Sequence, residues 1–180
     1  MLARLSKTWA RVEIALASFC AVLVTVLILL NVVTRAFNAS IYWVDEAAIY
    51  AMVWMCFLAA SAALHERSAV SVTLVRDWLG EIGQKWLGRA VDFCVLIFAI
   101  ALLYFAWRWL MPLDLLRAGF DVEAFQGETF NFVYVEPTTT LGVRKIWVWS
   151  VRGLYVCGTL LHAVANLLSP LPKTKPLAQT

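Results

Sequence analysis

Charge is scarce in this chain. Only 15% of its 180 residues are Asp, Glu, Lys or Arg, against 62% hydrophobic, and the mean hydropathy is +0.77. Soluble domains carry about 25% charged residues, so water is not the only solvent this sequence is built for. Paired cysteines are missing too. Cys20, Cys56, Cys94 and Cys157 are scattered singly with no Cys-x-x-Cys spacing, which excludes a sequence-local redox pair or thiolate metal site. No glycine-rich phosphate loop, nucleophile elbow or zinc motif occurs, so an enzyme reading has no motif to rest on, and no cofactor is implied. The net charge of +3 is spread without a dense basic cluster, which removes nucleic acid as a partner. There is no internal repeat.

What the sequence has is long apolar runs. A transmembrane helix needs about 20 mostly apolar residues to cross a hydrocarbon core roughly 30 Å thick. Four stretches qualify, at about 12–33, 44–64, 90–110 and 146–168. Ile14 to Leu30 and Ala47 to Leu64 hold no charge at all, whereas the third run carries Asp92 and Arg108 and the fourth Arg152 and His162. The basic start before the first run resembles a signal peptide, but the apolar stretch exceeds the roughly 7–15 residues of such a core, so it reads as a retained helix. The expected fold is an all-α membrane protein, with residues 1–180 forming one integral membrane domain.

Lys and Arg set the orientation, because positively charged short loops stay in the cytoplasm. Arg4, Lys7 and Arg11 precede the first span; Arg67, Arg76, Lys85 and Arg89 lie between the second and third; Lys173 and Lys175 follow the fourth. Those segments belong inside, which puts both termini in the cytoplasm. The first hairpin, with Arg35 against Asp45 and Glu46, and the acid-rich segment 112–145 belong outside. The alternation fits an even number of crossings, independent support for four.

Between the second and third spans, Val70, Leu74, Trp78, Ile82 and Trp86 recur every fourth residue opposite Arg76, Asp77, Glu81 and Lys85. This pattern predicts an amphipathic helix over 70–87 lying at the cytoplasmic membrane surface; packing on another subunit is the alternative. In the outer loop, Phe130, Phe132 and Tyr134 alternate with Asn131, Val133 and Val135, a period of two that predicts an extended stretch. The proline-rich tail, 170–180, reads as disordered.

A solute path needs ionisable groups or broken helices near the bilayer midplane, and the middles of these spans have almost none. Arg108 and Arg152 lie toward the outer boundary, where they can snorkel. Asp45 or Glu46 is expected to pair there with Arg35, Arg108 or Arg152, as a structural clamp. Small residues four apart, Ala17 with Ala21 and Ala59 with Ala63, allow close helix approach. The residues alone describe a scaffold, a membrane subunit supporting another protein. His65 and His162, the only histidines, leave open a second reading as a haem- or quinone-binding electron-transfer subunit. A third is a stand-alone four-helix carrier.

The run Asn31, Val32, Val33, Thr34, Arg35, Ala36, Phe37, Asn38, then Trp43, Asp45 and Glu46, and onward through Val53, Trp54, Phe57 and Leu58 resembles the small membrane subunit of tripartite ATP-independent periplasmic (TRAP) transporters, the DctQ-like family. The motif resemblance covers about the first 80 residues; the rest agrees by architecture. The chain departs from the family at Ala59, where Gly is usual, and at Ala69 and Thr73, where a His and an Asp are usual. The resemblance implies a bacterial inner-membrane assembly in which a periplasmic substrate-binding protein captures an organic acid. A large multi-spanning membrane subunit then moves it with sodium, held by the small subunit. It also singles out Arg35, Trp43 and Glu46 as residues fixing the outer ends of the first two helices, although Trp43 alone fits an aromatic belt better.

Overall fold

The computed structural model describes residues 1–67 and 79–171. Neither proline nor glycine occurs before Gly80, so nothing in the first third of the chain interrupts a helix, and two long ones form there. Helix α1 runs Leu2–Ala36 and α2 runs Tyr42–His65. Helix α1 ends where Asn38 turns left-handed, its N–H returning to the Arg35 carbonyl and that of Ala39 to Thr34. This is the reversed last turn for which Asn is the usual substitute for Gly. At 35 residues and about 1.5 Å per residue, α1 is longer than its apolar core at 12–33, because the basic first turns are also helical.

Helix α3 spans Glu81–Leu110. The first half of the surface helix expected at 70–87 lies outside the described residues. From Glu81 onward that stretch is continuous with the third span, with Ile82 and Trp86 exposed on its first turns. Two short helices follow, α4 at Pro112–Arg117 and α5 at Val122–Thr129. The last span is divided into α6 at Lys145–Trp149 and α7 at Val151–Leu168 by a turn at Ser150. Among the described residues four segments are long and apolar enough to cross a bilayer, as the hydropathy required, and the protein is a multi-pass membrane protein. The tail beyond Leu171 lies outside the described residues.

Helix α7 comes last in sequence and sits at the middle in space, packing on α1, α2 and α3, while α1 and α2 form the most extensive pair. Small side chains make this possible: Gly158, Thr159, Ala163 and Ala165 are buried on α7. The inward seam of α1 is Ser6, Ala10, Glu13, Ala17, Cys20 and Leu27, an alternation of threes and fours matching left-handed knobs-into-holes packing. On α2 the seam is Val44, Ala51, Leu58, Ser61 and Ala62. Of the small-residue pair Ala59 and Ala63, expected to allow close helix approach, Ala59 is exposed and the buried seam runs instead through Leu58, Ser61 and Ala62. At the centre Ala17, Leu58 and Val151 meet, flanked by Trp54, Met55 and Phe57. The bundle thus has a hairpin end, carrying the α1–α2 turn and residues 111–144, and a terminus-bearing end, where α1 begins and α2 and α7 stop.

The hairpin-end segment is folded on the bundle. Asp121 caps α5, its Oδ1 accepting from the N–H groups of Glu123 and Ala124. Phe125 is fully buried, edge-on to Tyr134 with ring centroids 5.4 Å apart. Asn131 Nδ2 donates to the Trp109 carbonyl and the Tyr134 hydroxyl to that of Leu110, at 2.9 and 2.7 Å. These bonds satisfy carbonyls that the end of α3 would otherwise leave orphaned. Burial raises the pKa of the Tyr134 phenol. The extended run expected at 130–135 does not form: Phe130 is left-handed, and Val135 and Glu136 turn back to the Phe132 carbonyl. Tertiary demand outweighs the period-two pattern, because Tyr134 must reach the end of α3.

Candidate functional site

At the hairpin end, Arg35 and Asp45 lie side by side. Arg35 Nη2 lies 2.6 Å from Asp45 Oδ2, and Asn31 completes the triangle, accepting from Arg35 Nε and donating to Asp45. Asn31 and Arg35 are one turn apart on α1 and Asp45 opens α2, so the three side chains pin the two helices across their turn.

Glu46 does something else. Of the two carboxylates that could take an arginine, Asp45 does so, and that of Glu46 is enclosed by the loop at 138–142. Oε1 accepts from Thr139 N–H at 2.8 Å, and Oε2 from Thr140 N–H, Thr140 Oγ1 and Leu141 N–H at 2.6, 2.6 and 3.0 Å. The Tyr50 hydroxyl, one turn along α2, adds a 2.8 Å bond to Oε1. Successive backbone N–H groups around one anion form a nest. Beneath it, the loop is closed by the Pro137–Arg144 bridge and a Lys145 Nζ–Glu136 contact of 2.5 Å.

The remaining expected residues stand apart from this pair of anchors. The Arg152 guanidinium lies 4.3 Å from the centroid of the Trp109 ring, tying α7 to the end of α3 by a cation–π contact. Arg108 is exposed and makes no hydrogen bond or ion pair among the described residues. Trp43 is half-exposed beside the exposed Tyr42, as suits an aromatic belt.

The terminus-bearing end is richer than the sequence suggested. Asp92, buried on α3, pairs with Arg67 at 3.0 Å and Arg89 at 3.5 Å. Both arginines also donate to carbonyls at the end of α7: Arg67 to Asn166 at 2.5 Å, and Arg89 to Leu167 and Ser169 at 2.7 and 3.0 Å. Cations at a helix C-terminus oppose its dipole and fill its orphan carbonyls. Asn166 Nδ2 reaches the Leu64 carbonyl at 2.7 Å, so α2, α3 and α7 are stapled together. Deeper in, Glu13, Ser6 and His162 are buried with at most 1% exposure. His162 Nε2 lies 2.9 Å from Glu13 Oε2, and its Nδ1 lies 2.8 Å from Ser6 Oγ, which is also 2.7 Å from His65 Nδ1. Both nitrogens of His162 are thus engaged, leaving none for iron without breaking this chain. Glu13 lies at the start of the 12–33 run and belongs to no local motif. The signal that finds it is the α1 seam, in which Glu13 follows Ser6 by seven residues and Ala10 by three.

Residues 24–173 match the family model of the DctQ component of tripartite ATP-independent periplasmic transporters. The chain belongs to the DctQ family. A protein of Haemophilus influenzae named as a TRAP transporter small permease is 35% identical over 86 residues, which are 47% of this chain and 53% of that protein. The chain thus spans about half the length of this curated relative. No solved structure matches it significantly. Within this DctQ chain, the family match takes in every expected clamp residue at the hairpin end and the Arg67–Asp92–Arg89 staple, while Ser6 and Glu13 precede it.

Proposed function

We propose that this TRAP transporter component is a non-catalytic small scaffold subunit. It supports a large multi-spanning membrane subunit in sodium-coupled uptake of an organic acid delivered by a periplasmic binding protein. The observation that carries this reading is the apolar plug of Ala17, Leu58 and Val151 at the centre of the bundle. Among the described residues the ionisable groups with named partners gather toward the two ends, so mid-depth offers a solute nothing to bind. Large apolar side chains also remain uncovered along α1 (Phe19, Val22, Val26, Leu29) and α3 (Phe93, Ile97, Ile100, Tyr104). Faces of that length need lipid or another membrane subunit against them. The distribution of Lys and Arg supports an inner-membrane topology with both termini cytoplasmic and the Glu46 loop periplasmic.

The test is coexpression with a large TRAP subunit and purification through a tag on one of them in mild detergent. The two are expected to elute together, and reconstituted uptake is expected to require both. Uptake by this chain alone in liposomes, or failure of the pair to copurify under several detergents, would overturn the scaffold reading. Reporter fusions at the two termini check the orientation, with both expected on the cytoplasmic face.

A further inference from the structure

The chain of buried side chains at the terminus-bearing end has no part in a passive scaffold. Ionisable groups buried inside spanning helices are costly and point to function. Glu13, 1% exposed, sits in a site walled by α1, α2 and α7. Its Oε1 has no hydrogen-bond partner, nor have Ser61 Oγ and Trp9 Nε1, which crowd the same point on Gly158. A Cβ placed on Gly158 would collide with Glu13 Oε1 and Ser61 Oγ and would lie 2.9 Å from Trp9 Nε1. The carboxyl group is therefore seated directly on the α7 backbone. An ionised carboxylate needs both oxygens solvated or bonded, whereas a carboxylic acid can leave its carbonyl oxygen bare at far lower cost.

We propose that Glu13 and His162 hold one proton in common inside the bundle, and that Ser6 and His65 relay it to the terminus-bearing end. Proton counting along the chain supports this. Ser6 has a single hydroxyl hydrogen between two imidazole nitrogens, so it donates to one and accepts from the other. In the protonated arrangement Glu13 donates to His162 Nε2, His162 Nδ1–H donates to Ser6, and Ser6 donates to His65 Nδ1. Release moves each proton one step. Glu13 gives its proton to His162 Nε2, His162 Nδ1–H passes to Ser6 Oγ, Ser6 passes its own to His65 Nδ1, and half-buried His65 loses Nε2–H to bulk water. Glu13 is left as a carboxylate, and every group between has reversed its hydrogen bond. The titratable groups acting on His65 are Lys7 and Glu13 from α1, Glu66 just past the end of α2 and His162 from α7. The other buried carboxyl on this end, Asp92, is already neutralised by Arg67 and Arg89.

The test is infrared spectroscopy of the full chain in lipid nanodiscs, with carbon-13-labelled glutamate, combined with nitrogen-15 shifts of the histidines. At neutral pH the expected result is a protonated glutamic acid C=O stretch that disappears in E13Q, or, equivalently for the shared proton, a doubly protonated His162 beside an ionised Glu13. An ionised Glu13 beside a singly protonated His162 overturns the proposal. If E13Q does not fold, the histidine shifts of the unsubstituted chain decide by the same criterion. In S6A, exchange of the held proton with deuterated water is expected to slow several-fold; unchanged exchange would remove Ser6 and His65 as the relay.

Discussion

At the hairpin end, the Arg35–Asp45 pair is open to solvent, with 61% and 48% of the two side chains exposed. At the terminus-bearing end Asp92 retains 6% and Arg67 19%. The chemistry is the same, a guanidinium on a carboxylate between two helices, and the surroundings are opposite. An exposed pair contributes about 0–1 kcal/mol, whereas removing one partner of a buried pair costs roughly 3–5 kcal/mol because a charge is left alone. The two ends should therefore respond very differently to equivalent substitutions. The buried end holds the bundle together, and the open end sets the geometry of a turn and a loop.

Predictions that strain this contrast begin with the buried end. Replacing Asp92 by Ala leaves Arg67 and Arg89 without their carboxylate while they still crowd the end of α7. The expected loss is about 3 kcal/mol or more, read as a lowered midpoint of thermal unfolding in detergent; a midpoint close to that of the unsubstituted chain would mean the staple is not stabilising. Gly158→Ala drives a methyl group into Glu13, Ser61 and Trp9. Overpacking of this kind costs about 1–3 kcal/mol, and Gly153→Ala, where a Cβ meets nothing within 4 Å, is the matched control expected to be near neutral.

How much of this was legible beforehand follows the same division. The four spans follow from apolar length, and the Arg35–Asp45 clamp was legible because the turn between α1 and α2 is short and brings neighbours in sequence together. In the Arg67–Asp92–Arg89 staple, Arg89 and Asp92 are an i,i+3 pair on α3, but nothing local in the sequence specifies that Arg67, just past α2, and the end of α7 meet them. As inside-facing cations Arg67 and Arg89 signal topology, which agrees with their contacts but does not reveal them. Asp45 and Glu46 are equal candidates for an arginine by charge alone; Asp45 takes Arg35, and among the described residues Glu46 has no charged partner. The loop at 138–142 offered three backbone N–H groups instead, and backbone donors carry no sequence signature. The aromatic alternation at 130–135 misled because its ring positions answer to the end of α3 rather than to a sheet.

The smaller effects belong to the hairpin end. Glu46→Ala removes the acceptor for Thr139, Thr140 and Leu141, but those N–H groups lie where water can replace it. Global stability is expected to fall only slightly, by much less than in Asp92→Ala. The loop itself should loosen, seen as faster amide exchange and protease cleavage between Thr138 and Gly142. Glu46→Gln keeps one acceptor oxygen and should fall between the two. Arg35→Ala is expected to cost less than about 1 kcal/mol, since Asp45 is half-exposed and keeps Asn31 as a donor. If it instead matched Asp92→Ala in thermal unfolding, the hairpin end would be as structural as the buried one. The contrast between an anchored end and an adaptable end would then have to be abandoned.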